Sequence, residues 1–337
     1  MSWEGPGFVD HHTHLLRVAA GDRPPYDVTD PESIRTYHRS LATRDLTPMD
    51  VVGPPPPQED LAASLFAGLK EAHKVGLVQI TEAGMTDWAY IDALRVLRDR
   101  GDLPVRVRIL VASGLADPKH MHREGDDRLE VEGVKFYADG WLGPRTCAMH
   151  LEFTDEEDRG LLFLDALTLA RRAEPFALRG WRIATHAIGD RAIEAVLDAY
   201  DHIYGADCAA AAPRVEHAQV LDPRLVTRMA EMGVVACIQP GFARADEDTA
   251  RRGLGAARME HAYNWNELLE AGVPVITGSD YPIDALDPVK GLQRLADIVG
   301  PDTALQLMTD ADAGTVVLSH DPLEDLGDLQ VVETQPA

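Results

Sequence analysis

Gly7-Phe8-Val9-Asp10-His11-His12-Thr13-His14 is a short apolar run that ends in histidines. Residues i and i+2 of an extended chain lie on the same side. His12 and His14 can therefore offer two imidazoles to one point, while His11 faces away. At the carboxyl end of a strand such a pair is half of a metal site if the rest of the chain supplies more donors. Without them it is a polar turn.

Working outward, the next segment, Gly21 to Gln58, is irregular. It holds Pro24-Pro25 and Pro54-Pro55-Pro56-Pro57. Four consecutive prolines impose an extended polyproline stretch, and a short helix is expected over 34–41. From Glu59 the chain becomes rhythmic. Leu61, Leu65, Leu69 and Ala72 fall at helical spacing and Gly76 closes that helix. Strand-like apolar runs follow at 77–80, 105–111, 131–137, 181–185, 214–216, 234–238 and 273–277. Helical patterns separate most of them. One spans 162–178, one starts at Asp190 as a cap, and one starts at Asp222-Pro223. The strands are continuous apolar runs, as in a parallel sheet covered on both faces. With the opening strand there are eight, over roughly 250 residues, the size of a (β/α)8 barrel. The expected fold is α/β, a TIM-type (β/α)8 barrel over 7–312. Short strands at 314–318 and 329–333 would lie outside it, as a reduced appendage over 313–337. An open doubly wound sheet is the alternative. No glycine-rich phosphate turn follows an early strand to support it.

Composition narrows the partners. The net charge of -24 argues against nucleic acid and anionic membranes, which require a basic footprint. No apolar run reaches membrane-spanning length. The three cysteines, Cys147, Cys208 and Cys237, fit no disulfide or zinc framework and read as free thiols in a reducing cytoplasm. The amino terminus lacks the basic and apolar regions of a signal peptide. A small-molecule substrate is the expected partner, with a homodimer possible.

In a barrel, chemistry gathers at the carboxyl ends of the strands. His12 and His14 end the first strand, His186 the fifth and His217 the sixth, and Asp280 follows the eighth. Each has a plain structural reading: a hydrogen-bonded core histidine, or a carboxylate capping the turn before Pro282. Lys135 lies between Val134 and Phe136. An apolar strand rarely buries a lysine without a partner or a chemical reason. Together these residues make a far stronger case than any one does, because all of them fall at one mouth. A second His-x-His, His120 to His122, lies in a charged loop with no companion donors and reads as surface.

Five stretches carry a family resemblance: 7–14, Val-Lys-Phe-Tyr-Ala-Asp-Gly-Trp-Leu-Gly at 134–143, His-Ala-Ile-Gly-Asp-Arg-Ala at 186–192, Arg-Val-Glu-His-Ala-Gln at 214–219, and Gly-Ser-Asp-Tyr-Pro-Ile at 278–283. In these the chain resembles the amidohydrolase superfamily, and within it the YtcJ-like group, amidohydrolase family 3. The resemblance implies a two-metal site, most simply zinc. His12, His14 and Asp280 would hold one ion, and His186 and His217 the other. Lys135, carboxylated by CO2, would bridge both. It further implies attack of a metal-bridging hydroxide on a non-peptide C–N bond of an N-acyl amine, an N-formyl amine or a cyclic amide, with Asp280 as general base and then acid. Deamination of an aromatic amidine on the same fold, and a non-catalytic metal-binding or regulatory relative, are the alternatives. Family members lead into the first strand through a β-sandwich half, which this chain is expected to lack. They also usually carry a histidine just after Gln239-Pro240, where this chain has Gly241 and Phe242. Glu82, Asp139, Trp141, Arg145, Phe242 and Tyr281 are candidates for contact with substrate. Glu82 could instead orient a ligand, and Arg145 could clamp a carboxylate.

Overall fold

A computed structural model describes residues 2–51, 60–119, 121 and 125–337. The four prolines at 54–57 and the His120–His122 pair lie outside them. Eight parallel strands follow one another in chain order across the sheet: β1 (Trp3–Thr13), β2 (Leu77–Met85), β3 (Arg106–Ala112), β4 (Leu129–Tyr137), β5 (Arg182–Ala187), β6 (Arg214–His217), β7 (Val235–Ile238) and β8 (Val275–Thr277). Every parallel step except β3 to β4, which is joined by a loop without helix among the described residues, is made through a crossover that carries helix. Register puts the chemistry on one level. Lys135 pairs with Ala112 and Ala184, Tyr137 with His186, and His186 with Glu216.

No strand ladder joins β8 to β1 among the described residues. The segment after β8 bridges the seam instead. Asp280 N–H donates to the His12 carbonyl (2.7 Å) and His14 N–H to the Tyr281 carbonyl (2.9 Å). The buried Asp10 carboxylate accepts the backbone N–H groups of His12 (3.0 Å) and Ser279 (3.0 Å) and the Ser279 hydroxyl (2.6 Å). A Cβ on Gly278 would lie 2.5 Å from the His12 backbone nitrogen, so only glycine permits so close an approach.

The last two strands belong to this same sheet. β9 (Thr309–Leu318) pairs antiparallel with β1, Trp3 opposite Leu318 and Phe8 opposite Thr309, and β10 (Val331–Pro336) pairs with β9. β9 thus starts before the expected boundary at 312/313. β1 is long enough to serve two neighbours: its carboxyl half pairs with β2, and its amino half satisfies its backbone groups on β9.

Most helices follow the sequence pattern. Leu61–Lys74 buries Leu61, Leu65, Leu69 and Ala72, and Pro31–Ala42 buries Ile34, His38 and Leu41. Asp222 caps Pro223–Met232 by accepting Leu225 N–H at 2.9 Å. Two expectations are corrected. Asp190 does not cap its helix, because Gly189 holds that position and the Asp190 carboxylate accepts His150 N–H. The helix expected from 162 begins at Ala166, because the N–H groups of Phe163 and Leu164 both donate to Ala138 O, leaving Asp165 as the cap. That detour carries the chain over the carboxyl end of β4.

Candidate active site

The sequence-predicted donors meet at the carboxyl ends of the strands. His12 and His14 aim Nε2 at the same oxygen, Asp280 Oδ1, at 3.4 and 3.3 Å. One donor atom from each of the three residues lies within 4.8 Å of the others. The His217 ring centroid lies 5.0 Å from that of His12 and 4.5 Å from that of His186. Lys135 is 2% exposed, and its Nζ has no hydrogen-bond partner among the described residues.

The other ring nitrogens fix which atoms remain free. His12 Nδ1–H donates to Glu216 Oε2 at 2.5 Å, leaving the Nε2 lone pair facing Asp280. His217 Nδ1–H donates to Gln239 Oε1 at 2.7 Å, and Gln239 Nε2 donates to the Cys237 carbonyl at 3.2 Å. His186 Nε2–H donates to the Gly140 carbonyl at 3.0 Å. A carbonyl only accepts, so the lone pair of His186 is on Nδ1. Ligating histidines are oriented in this way by a carboxylate, carbonyl or amide at the far nitrogen.

Burial sets the charges. It presses His186 well down, helped by Lys135, and His217 well down, helped by His186 and His12. Both are neutral lone-pair donors. Burial also lowers the Lys135 amine. Burial by itself would raise Asp280, but the neighbouring His12 and His14 hold it well below the usual carboxylate range. A lone pair aimed at an ionised carboxylate at His12 needs a positive charge, either a proton or a metal ion, between them.

Backbone strain concentrates here. His217 (φ 77°), Ala218 (φ 44°) and Asp280 (φ 55°) are all left-handed without being glycine, at about 1–2 kcal/mol each. Successive strand residues normally point to opposite sides. The left-handed turn at His217 lets both Glu216 and His217 reach His12.

The six lower-grade candidates separate. Glu82 accepts Leu16 N–H through Oε2 (2.8 Å) and places Oε1 3.6 Å from His14 Nδ1, beside that ring but beyond hydrogen-bond reach. Phe242 lays its ring parallel to His217, centroids 6.2 Å apart. Tyr281 contributes the carbonyl that holds His14. Trp141 donates its indole N–H to the Tyr137 hydroxyl, and Tyr137 stacks on His186 at 3.6 Å. Two candidates leave the substrate list. Asp139 is fully buried, its oxygens accepting Ala148, Ile188 and Gly189 N–H (2.8, 3.0 and 2.8 Å). Arg145 is spent on Asp155 (3.0 and 2.7 Å) and on the carbonyls of Leu142 and Thr249. Neither retains a free face for substrate. Sequence reasoning missed Glu216, Gln239 and Asp10 as orienting groups. The signal for Glu216 was its place beside His217 in a short strand, all four residues of which are buried.

A barrel-type parallel sheet with a metal-type donor set at its mouth is the class that these observations define. The chain belongs to the amidohydrolase family, which matches residues 34–316. It is 31% identical over 249 residues to the amidohydrolase YtcJ of Bacillus subtilis (strain 168), covering 71% of this chain and 46% of that protein. It is 31% identical over 113 residues to the N-substituted formamide deformylase of Arthrobacter pascens, covering 33% of this chain and 21% of that protein. The chain thus spans about half the length, or less, of the curated relatives it matches. Among solved structures, an uncharacterized metal-dependent hydrolase from Pyrococcus furiosus has the same fold, with a TM-score of 0.77, 19% identity, and coverage of 96% of this chain and 88% of that one. No helix among the described residues is long and apolar enough to cross a membrane.

Proposed function

We propose that this chain is a metal-dependent hydrolase of a non-peptide C–N bond, in an N-acyl amine, an N-formyl amine or a cyclic amide. The observation that carries the reading is the donor set itself. Two imidazole Nε2 atoms converge on one carboxylate oxygen, beside a buried lysine nitrogen with no hydrogen-bond partner among the described residues. His12, His14 and Asp280 would hold one divalent ion, and His186 and His217 a second. Lys135, as its carbamate, would be a ligand shared by both. A neutral amine is the form that adds CO2, and burial favours that form. The product is an anionic oxygen donor, which removes the anomaly of a partnerless lysine in an apolar strand.

Nitrogen and oxygen donors suit zinc, and bound ions would polarise the scissile carbonyl and acidify water. The chain's own groups do the rest. Asp280 is ionised, and it accepts the proton of the attacking water and returns it to the leaving nitrogen. Glu216, Gln239 and Gly140 hold His12, His217 and His186 in the tautomers that present lone pairs. Phe242 and the Tyr137–Trp141 pair supply apolar walls. The partial likeness to a formamide deformylase supports the formamide end of the substrate class.

Metal analysis of protein purified without chelator, with turnover of N-formyl, N-acyl and cyclic amide panels, tests the proposal. Bound divalent metal and turnover of one panel are expected. Protein with no transition metal and no turnover overturns it. Lys135→Ala that keeps the full metal complement refutes the shared-ligand role.

A further inference from the structure

Below the donors, inside the sheet, lies a charged group that the proposed reaction does not use. Arg214 is 2% exposed. Its guanidinium forks in three directions: Nε to Glu216 Oε1 (2.9 Å), one terminal nitrogen to Glu132 Oε1 (3.1 Å), and the other to the carbonyl of His11 (2.7 Å). The last two partners are on β4 and β1, neither of which neighbours β6 in the sheet. The fork therefore crosses the interior and does not follow a ladder. The three strands it ties together carry His217, Lys135 and His12.

We infer that Arg214 is a positioning residue for the proposed metal centre, holding Glu216 and the β1 backbone so that His12 presents its Nε2 lone pair at a fixed depth. The inference rests on the metal-hydrolase reading above. Glu216 is fully buried, and its two oxygens divide the work. Oε1 is held by Arg214 and Oε2 by His12 Nδ1–H. The Cys237 thiol is also close to this oxygen pair, but a thiol is a weak donor. Without the guanidinium the carboxylate loses its charged anchor, turns, and stops fixing the His12 tautomer. His12 Nε2 would then carry a proton for part of the time and cease to be a ligand. At its other end Arg214 grips the carbonyl of His11, the residue adjacent to His12, so rotation and height of that imidazole are set from one group. The planar five-donor fork is specific to arginine. A lysine keeps the charge but cannot serve three divergent acceptors.

The test is Zn2+ binding to metal-stripped full-length protein, by competition with a chromophoric chelator, for wild type, Arg214→Lys and Glu132→Gln. Thermal unfolding of each metal-free protein and the 15N shifts of the His12 ring accompany it. Arg214→Lys is expected to weaken Zn2+ binding by about 10–100-fold and to shift the His12 ring from a single Nδ1–H tautomer to a mixture. Glu132→Gln, which removes the negative charge at one arm of the fork on a partly exposed residue, is expected to lose less in the same direction. Folded variants with wild-type Zn2+ affinity and an unchanged His12 tautomer, altered only in metal-free stability, overturn the inference and make Arg214 a scaffold residue. If Arg214→Lys fails to fold, Glu132→Gln decides by the same criterion. Wild-type protein that takes up no Zn2+ overturns the functional reading, and this inference with it. Failure of the variants alone leaves that reading standing.

Discussion

Replacing Lys135 by methionine should make the metal-free protein more stable while removing metal binding. The amine is 2% exposed and without a hydrogen-bond partner among the described residues. A buried polar group left unpaired costs about 1–3 kcal/mol, and methionine fills nearly the same volume with no polar atom. The expected gain is therefore about 1–3 kcal/mol, or ~2 °C in Tm per kcal/mol for a chain this long. Its pH dependence has a fixed sign. Burial lowers the folded-state lysine, whereas the unfolded lysine holds its proton up to a pH of about 10.4. Between the two, the unfolded state binds more protons, so wild-type stability rises with pH. The advantage of Lys135→Met is thus largest below the folded-state value and shrinks as pH climbs toward the unfolded value. The assay is urea unfolding followed by circular dichroism, after chelation, in CO2-free buffer at neutral and alkaline pH, with metal content measured separately. A metal-free variant less stable than wild type would refute the reasoning, since it would mean the amine has a partner that stabilises it. A variant with unaltered metal content would refute the ligand role.

Three further outcomes are expected. Gly278→Ala forces a Cβ to 2.5 Å from the His12 backbone nitrogen. Because backbone must move, it should cost roughly 3 kcal/mol or more, read by chemical denaturation, and should reduce bound metal; an unperturbed variant would contradict the closeness of the seam. Asp139→Asn leaves at most one side-chain acceptor for three backbone N–H groups, and should destabilise by about 1–3 kcal/mol, measured the same way; wild-type stability would contradict the bracing role. Asp10 is raised from 3.8 to about 6 by burial, against the pull of Ser279 and His12. In metal-free protein this group's contribution to stability is therefore full below pH 3.8 and falls by about 3 kcal/mol as pH rises to 6. Asp10→Asn, which can keep both backbone hydrogen bonds, should flatten that part of the stability–pH curve, and an unchanged curve would count against the burial argument.

The parallel α/β order was legible because most strands are largely apolar and several helices carry their own spacing and end signals. The converging donors were legible for a related reason. A strand end in a barrel has a known location, so a histidine or aspartate there can be placed without coordinates. Lys135 stood out by being charged in a run that has no room for charge. What failed were residues whose meaning depends on distant partners. Asp139 and Arg145 sit in the right loop for substrate, yet their neighbours in space, 188–189 and 155, already consume them. The stretch from 162 to 165 looked helical because periodicity cannot register that Ala138 O takes two of its N–H groups.

Local spacing and strand polarity are thus enough to give the order of elements, and they put the candidate donors at the carboxyl ends of the strands. How these residues are held depends on contacts far apart in the chain: Glu216 on His12, Gln239 on His217, Gly140 on His186, and Arg214 across the interior. Those partners lie 22 to 204 residues apart in the chain, and no local rule constrains which buried acceptor a given N–H will meet. Tertiary packing also settled the seam between β1 and β8, where the fit of Gly278 against His12 replaces a strand ladder.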